Sequence, residues 1–185
     1  KQESIKLVHI STDYVFDGKS GPYDETSKPN PINTYGKAKL LGEHDILSSV
    51  PETLIIRTNM VYGPDKEYKN FVCQILSGNL KTIPMDQFGT PVYSKDIAEA
   101  CAKLTFKNTC GIVHVSGDEH MSRKEMVERI HLFKKKNEDY EYKETSALGQ
   151  KAKRPLVAGL TNNLVKKLID WKPKSLEDAL KDWNI

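Results

Sequence analysis

The chain has 185 residues, 38% hydrophobic and 29% charged, and its net charge of +3 comes from 28 basic and 25 acidic side chains; so small and scattered an excess argues against nucleic acid as a partner. No run of about 18 apolar residues exists to cross a membrane, and no charged-then-apolar leader precedes the first apolar run, so neither a membrane anchor nor a signal peptide is expected. Three cysteines without CxxC spacing (Cys73, Cys101, Cys110) and five histidines without ligand spacing predict reduced thiols in a cytoplasmic protein, with no metal site and no disulfide frame.

In chain order, "SIKLVHIS" (4–11) is a short apolar run of β-formers and predicts a buried strand, with His9 a strand histidine. A polar loop punctuated by Gly18, Gly21, Pro22, Pro29 and Pro31 follows. From Asn33, a suitable N-cap, to Ser49 the apolar spacing turns helical. "TLIIRTNMVYG" (53–63) reads as one further strand, stopped by Gly63-Pro64. Strand, helix and strand make a βαβ unit and imply a parallel sheet. Beyond it, helices are expected near 67–78, 95–106, 122–136, 161–169 and 175–183. Short strands are expected near 81–84, 112–116 and 141–145, with a long loop over 146–159. "FKKK" (133–136) suits a solvated helix end. Met85, Phe88, Trp171 and Trp183 are assigned to packing.

Two Tyr-x-x-x-Lys pairs occur, Tyr35/Lys39 and Tyr62/Lys66. About one is expected by chance, so context must separate them. Gly63-Pro64 breaks any helix through the second pair. The first lies in a helical pattern, where residues four apart share a face. An ammonium near a phenol favours phenolate, and a tyrosine so tuned can exchange a proton with a carbinol oxygen. Thr12 ends the first strand, and βαβ sites lie at the carboxyl ends of strands, so it is placed to hold a substrate oxygen. A half-buried tyrosine beside a surface lysine is the plainer alternative.

"STDYVFDG" (11–18), "PYDE" (22–25), "PNPINTYGKAKLLGE" (29–43) and "RTNMVYGP" (57–64) together resemble the extended short-chain dehydrogenase/reductase family. "DQFGTPVYSKDIA" (86–98), "VSGDEHMSRKEM" (115–126) and "KRPLVAGL" (153–160) resemble its dTDP-4-dehydrorhamnose reductase branch, and also the regulatory subunit of methionine adenosyltransferase. The resemblance implies an α/β fold: the C-terminal part of a Rossmann-like doubly wound parallel sheet plus a small α+β substrate lobe. Residues 1–63 would be the remainder of the NAD(P)-binding domain. Residues 64–185 would be mainly the lobe, with segments near 81–106 returning to the sheet.

The resemblance also implies roles. Tyr35 would be the catalytic acid, Lys39 would tune it and hold the nicotinamide ribose, and Thr12 would bond the substrate's keto or hydroxyl oxygen. Asp13 and Tyr14 would face the substrate. Asn59, Met60 and Val61 would line the nicotinamide pocket, with Asn59 also near substrate. Gln87 and Arg154 would contact the diphosphate or sugar, Arg154 as a bidentate clamp or else as a loop arginine paired with a surface carboxylate. The cofactor would be NADH or NADPH, the substrate a nucleotide-linked 4-keto-6-deoxy sugar, and a homodimer through the Tyr35 helix is expected.

Two features depart from the pattern. Met60 stands where the bacterial reductases often carry tryptophan, and it cannot stack as a rigid plane. No Gly-rich fingerprint follows any strand, although such a loop holds the dinucleotide pyrophosphate at a helix N-terminus. The expectation is that about the first hundred residues of a complete enzyme are absent, leaving an exposed strand edge and helix face and weak cofactor binding. A non-catalytic regulatory homologue and an epimerase remain alternatives. Asp13-Tyr14-Val15 after Thr12 disfavours a dehydratase, which usually carries an Asp-Glu pair there.

Overall fold

The computed structural model describes residues 6–78, 80–135 and 138–184. Its centre is a three-stranded parallel sheet in the order β1 (Val8–Thr12), β2 (Leu54–Thr58), β7 (Gly111–His114). Every residue of β2 is buried, as a central parallel strand with both faces covered requires. Residues 4 and 5 of the first expected strand lie outside the described residues.

Between β1 and β2 runs α1 (Thr34–Ser49), opened by Asn33, whose side chain accepts the Gly36 N–H at 2.8 Å. On the sheet pack α3 (Ser94–Phe106) and the short α5 (Asn163–Leu168). Ile97, Ala100 and Leu104 recur at helical spacing along α3, and with Val165 and Trp171 they bury Leu54, Ile56 and Val113.

A second core is built mainly by five further elements. These are α2 (Phe71–Leu76), β4 (Thr82–Pro84), α4 (Arg123–Lys134), β9 (Glu141–Lys143) and α6 (Leu176–Asp182). Val72, Ile75, Ile83, Met126, Ile130 and Leu180 are sealed within it. Lys134 ends α4 and Lys135 caps it in the left-handed conformation; Lys136 lies outside the described residues.

The sequence reading needs correction in several places. The strand expected over 53–63 is two. Met60 turns the chain with φ 41°, and β3 (Val61–Tyr62) leaves the sheet to pair with β6 (Val92–Tyr93). The Asn59 side chain accepts the Thr90 N–H at 2.7 Å, which anchors the break. Strands β5 (Phe88–Gly89), β6 and β8 (Met121–Ser122) were not expected; two residues carry no periodicity to read. The expected loop over 146–159 begins inside a 3-10 turn, Thr145–Leu148. Met85 and Phe88 are 39% and 37% exposed, not core.

Among the described residues strand β1 has a partner on one side only, so its outer edge is open there. Of α1's residues only Gly36 and Glu43 are buried, and Leu41 stands 61% exposed.

Candidate functional site

At the carboxyl end of β1 the chain turns directly into a 3-10 turn, Asp13–Val15. Helix α1 begins against this turn. A β-carbon added at Gly36 would lie 2.1 Å from the Tyr14 carbonyl oxygen, so the close approach of helix and turn requires glycine there. That approach sets Tyr35 beside Tyr14, the rings edge to face with centroids 5.7 Å apart.

A cleft of about 750 Å³ opens between β1, α1 and the Asn59–Met60 turn. Its walls bring together Thr12, Asp13, Tyr14, Tyr35, Lys39, Asn59, Met60, Val61 and Arg154, residues far apart in the sequence. Gln87 is not among the lining residues. It is buried behind the wall, where its amide donates to Thr145 Oγ1 at 3.0 Å and accepts from Arg123 Nε at 2.9 Å.

Several polar groups in the cleft are fixed by hydrogen bonds. Thr12 Oγ1 donates to Asp13 Oδ1 at 3.2 Å and accepts the Tyr14 N–H at 3.2 Å. Lys39 Nζ donates to the Ile10 carbonyl at 2.7 Å and lies 3.4 Å from His9 Nε2. Burial and the Lys39 ammonium lower the His9 pKa, which favours the neutral ring as its neighbour. Burial pushes the Asp13 carboxyl up to about 6, against the hydrogen bonds from Thr12, the Gly159 backbone and Asn59 that pull it down. Arg154 Nη1 donates to the Tyr14 hydroxyl at 3.1 Å and its Nε to Gln150 at 3.2 Å, so its partners are neutral. The rival pair separates cleanly: Tyr62 is 2% exposed in the second core, and burial raises its pKa.

Two features escaped the sequence reading. Arg123, the first residue of α4, lines the cleft from the lobe side; the Ser122-x-x-Glu125 capping pattern marks a helix start there, but not that it faces the cleft. Behind the cleft, Glu43 of α1 is paired with Arg57 of β2 and also accepts from Ser11.

This arrangement is a βαβ unit carrying tyrosine, lysine and threonine at one strand end. The model of the RmlD substrate binding domain matches residues 1–184, and the chain belongs to that family. It is 38% identical over 131 residues to methionine adenosyltransferase 2 subunit beta of Xenopus tropicalis, covering 65% of this chain and 39% of that protein. It is 36% identical over 184 residues to the spore coat polysaccharide biosynthesis protein SpsK of Bacillus subtilis, covering 96% and 63%. The crystal structure of dTDP-4-dehydrorhamnose reductase from Bacillus anthracis, in complex with NADP, superposes with a TM-score of 0.88 at 30% identity, over 97% of this chain and 65% of that one. The chain thus spans less than two thirds of the length of each of these relatives.

Proposed function

We propose that the chain is the catalytic and substrate-binding part of an NAD(P)H-dependent reductase of a nucleotide-linked 4-keto-6-deoxy sugar. The observation that carries this reading is the convergence of Thr12, Tyr35 and Lys39 on one cleft at the end of a parallel strand. The B. anthracis reductase, solved with NADP, supports the cofactor class. The division near residue 63, between a sheet remnant and a lobe, belongs to the same proposal, as do a cytoplasmic setting and dimerisation through the exposed face of α1.

The cleft fits the nicotinamide end of such a cofactor. Lys39, fixed by the Ile10 carbonyl, stands by the cleft floor, and the Met60–Val61 backbone forms a wall. When bound, NAD(P)H supplies the hydride. The chain's own groups do the rest. Thr12, its oxygen held by the Tyr14 N–H, turns its one hydroxyl proton from Asp13 to the keto oxygen and holds it. Tyr35, exposed to the cleft and braced by Tyr14, delivers a proton to that oxygen as charge develops on it. Lys39 stabilises the phenolate left behind. Tyr14 fixes the sugar, and Asp13 and Asn59, bonded to each other, back the cleft behind it.

A second reading is favoured by the 38% identity to a methionine adenosyltransferase subunit: a binding homologue that acts by docking on a partner enzyme. Calorimetric titration with NADH, NADPH, dTDP and dTDP-rhamnose tests the first. The expected result is binding of the dTDP ligands with weak dinucleotide binding. Absence of dTDP-rhamnose binding, with a defined complex on a sizing column when methionine adenosyltransferase is added, would overturn it in favour of the second.

A further inference from the structure

Arg123 is fixed in place by Gln87 and Phe71. Its backbone N–H donates to the Gln87 carbonyl at 3.0 Å and its Nε to the Gln87 side chain at 2.9 Å. Gln87 is itself pinned by Thr145, whose hydroxyl donates to Asp86 at 2.6 Å. The guanidinium lies over the Phe71 ring, 4.4 Å from its centroid. Nε and the flat face are therefore used, and among the described residues no hydrogen bond takes Nη1 or Nη2.

The charge balance points the same way. Desolvation lowers the Arg123 pKa and the nearby Arg154 lowers it further, against Tyr14 and Asp13, which raise it without reversing the shift. A cation withdrawn from water without a hydrogen-bonded counter-ion is costly, and a bound anion removes that cost. Of the cleft's other charged groups, Lys39 is fixed by a carbonyl and serves Tyr35, and the buried Asp13 carboxyl is taken by Asn59 and Thr12. Two guanidiniums remain with donors to offer, and a planar fork matches phosphate oxygens in pairs.

We propose that Arg123 is a specificity-determining residue of the cleft, which together with Arg154 grips the diphosphate of a nucleoside-diphosphate sugar, and that Gln87 is its positioning residue. The proposal rests on the reductase reading for the sugar nucleotide, but the anion clamp itself does not.

The test is calorimetry with inorganic pyrophosphate and dTDP-rhamnose on the 185-residue chain, its R123Q, R123K and Q87L variants, and R154Q. Loss of paired, charge-assisted hydrogen bonds should weaken both ligands at least about tenfold in R123Q. R123K, which keeps the charge and loses the fork, should fall between, and Q87L should weaken binding with Arg123 intact. As a measurement needing no variant, the Arg123 side-chain NMR resonances should shift when pyrophosphate is added to the unmodified chain. Unchanged affinity for both ligands in a folded R123Q, or Arg123 resonances that pyrophosphate leaves in place, overturns the clamp. Pyrophosphate binding lost in R123Q, but no binding of dTDP-rhamnose by the unmodified chain, upholds the clamp and sinks the reductase reading instead.

Discussion

Glu43 and Arg57 meet side by side in the interior, Arg57 Nε on Oε1 at 2.9 Å and Nη2 on Oε2 at 2.5 Å, with Glu43 fully buried and Arg57 2% exposed. The pair ties α1, the helix that carries Tyr35 and Lys39, to the central strand. Ser11 of β1 adds a third hydrogen bond to the same carboxylate, so all three elements that form the cleft floor share one ionic joint. Replacing Glu43 by Gln keeps the shape and leaves Arg57 charged and unpaired. Breaking a buried pair from one side costs about 3–5 kcal/mol. Urea unfolding of E43Q should show a loss of that order; a loss within experimental error would mean the joint contributes nothing.

Gly36 and Gly42 lie in the same helix and should answer oppositely to alanine. At Gly36 the new methyl would meet the Tyr14 carbonyl at 2.1 Å, whereas at Gly42 nothing lies within 4 Å. Overpacking of this kind costs about 1–3 kcal/mol, and G36A should also displace Tyr35 from Tyr14. Glycine to alanine at an open helical site gains about 0.5–1 kcal/mol. Thermal melts of the two variants should therefore move in opposite directions. Equal shifts would refute the packing argument.

The contrast shows what sequence could reveal. Apolar runs and helical spacing made the βαβ unit legible, because β2 is buried throughout and α1 has a capping asparagine. Thr12 was legible from its place at the end of the first strand and the Tyr35/Lys39 pair from its helical spacing, whereas Asp13, Tyr14, Asn59, Met60 and Val61 came only from the family resemblance. Other features depend on contacts between distant segments. Met60 reads as a strand residue until the Asn59 side chain is seen to capture the Thr90 backbone. Gln87 reads as a ligand contact until Arg123 is seen between it and the cleft. Nothing in the pattern of α1 singles out Glu43, whose burial depends on the fold placing Arg57 beneath it.

Met60 holds a left-handed backbone, φ 41°, at the rim of the cleft. Such a conformation costs a non-glycine residue about 1–3 kcal/mol and persists where the surroundings impose it. M60G should relieve it and stabilise the fold, offset in part by the loss of the side chain's contacts. Glycine's extra freedom in the unfolded chain takes back about 0.5–1 kcal/mol, so the expected gain is at most about 1 kcal/mol in chemical denaturation. It should come with weaker sugar-nucleotide binding, since the thioether leaves the cleft wall. A clear destabilisation would show that the Met60 side chain, packed near Gly89, matters more than its backbone.

Two buried groups give folding opposite dependences on pH. Asp13 is raised from 3.8 to about 6 by burial, so between these values the folded state holds the extra proton. Its contribution is complete below 3.8 and is lost as pH rises through 6. His114 is lowered from 6.5 to about 3 by burial and by Arg57. Its ring faces the Tyr23 carbonyl through Nδ1 at 3.2 Å, and Nε2 has no partner among the described residues. Here the unfolded state holds the extra proton, so the contribution is complete above 6.5 and is lost as pH falls toward 3. Between pH 4 and 6 the two slopes oppose, each approaching about 1.4 kcal/mol per pH unit at full effect. Relative to the unmodified chain, D13N should gain stability more steeply as pH rises across that range, because the falling contribution is gone. H114Q should shift the curve the other way. Unfolding free energies at several pH values for the three proteins decide it: parallel curves would mean that neither group titrates as its surroundings require.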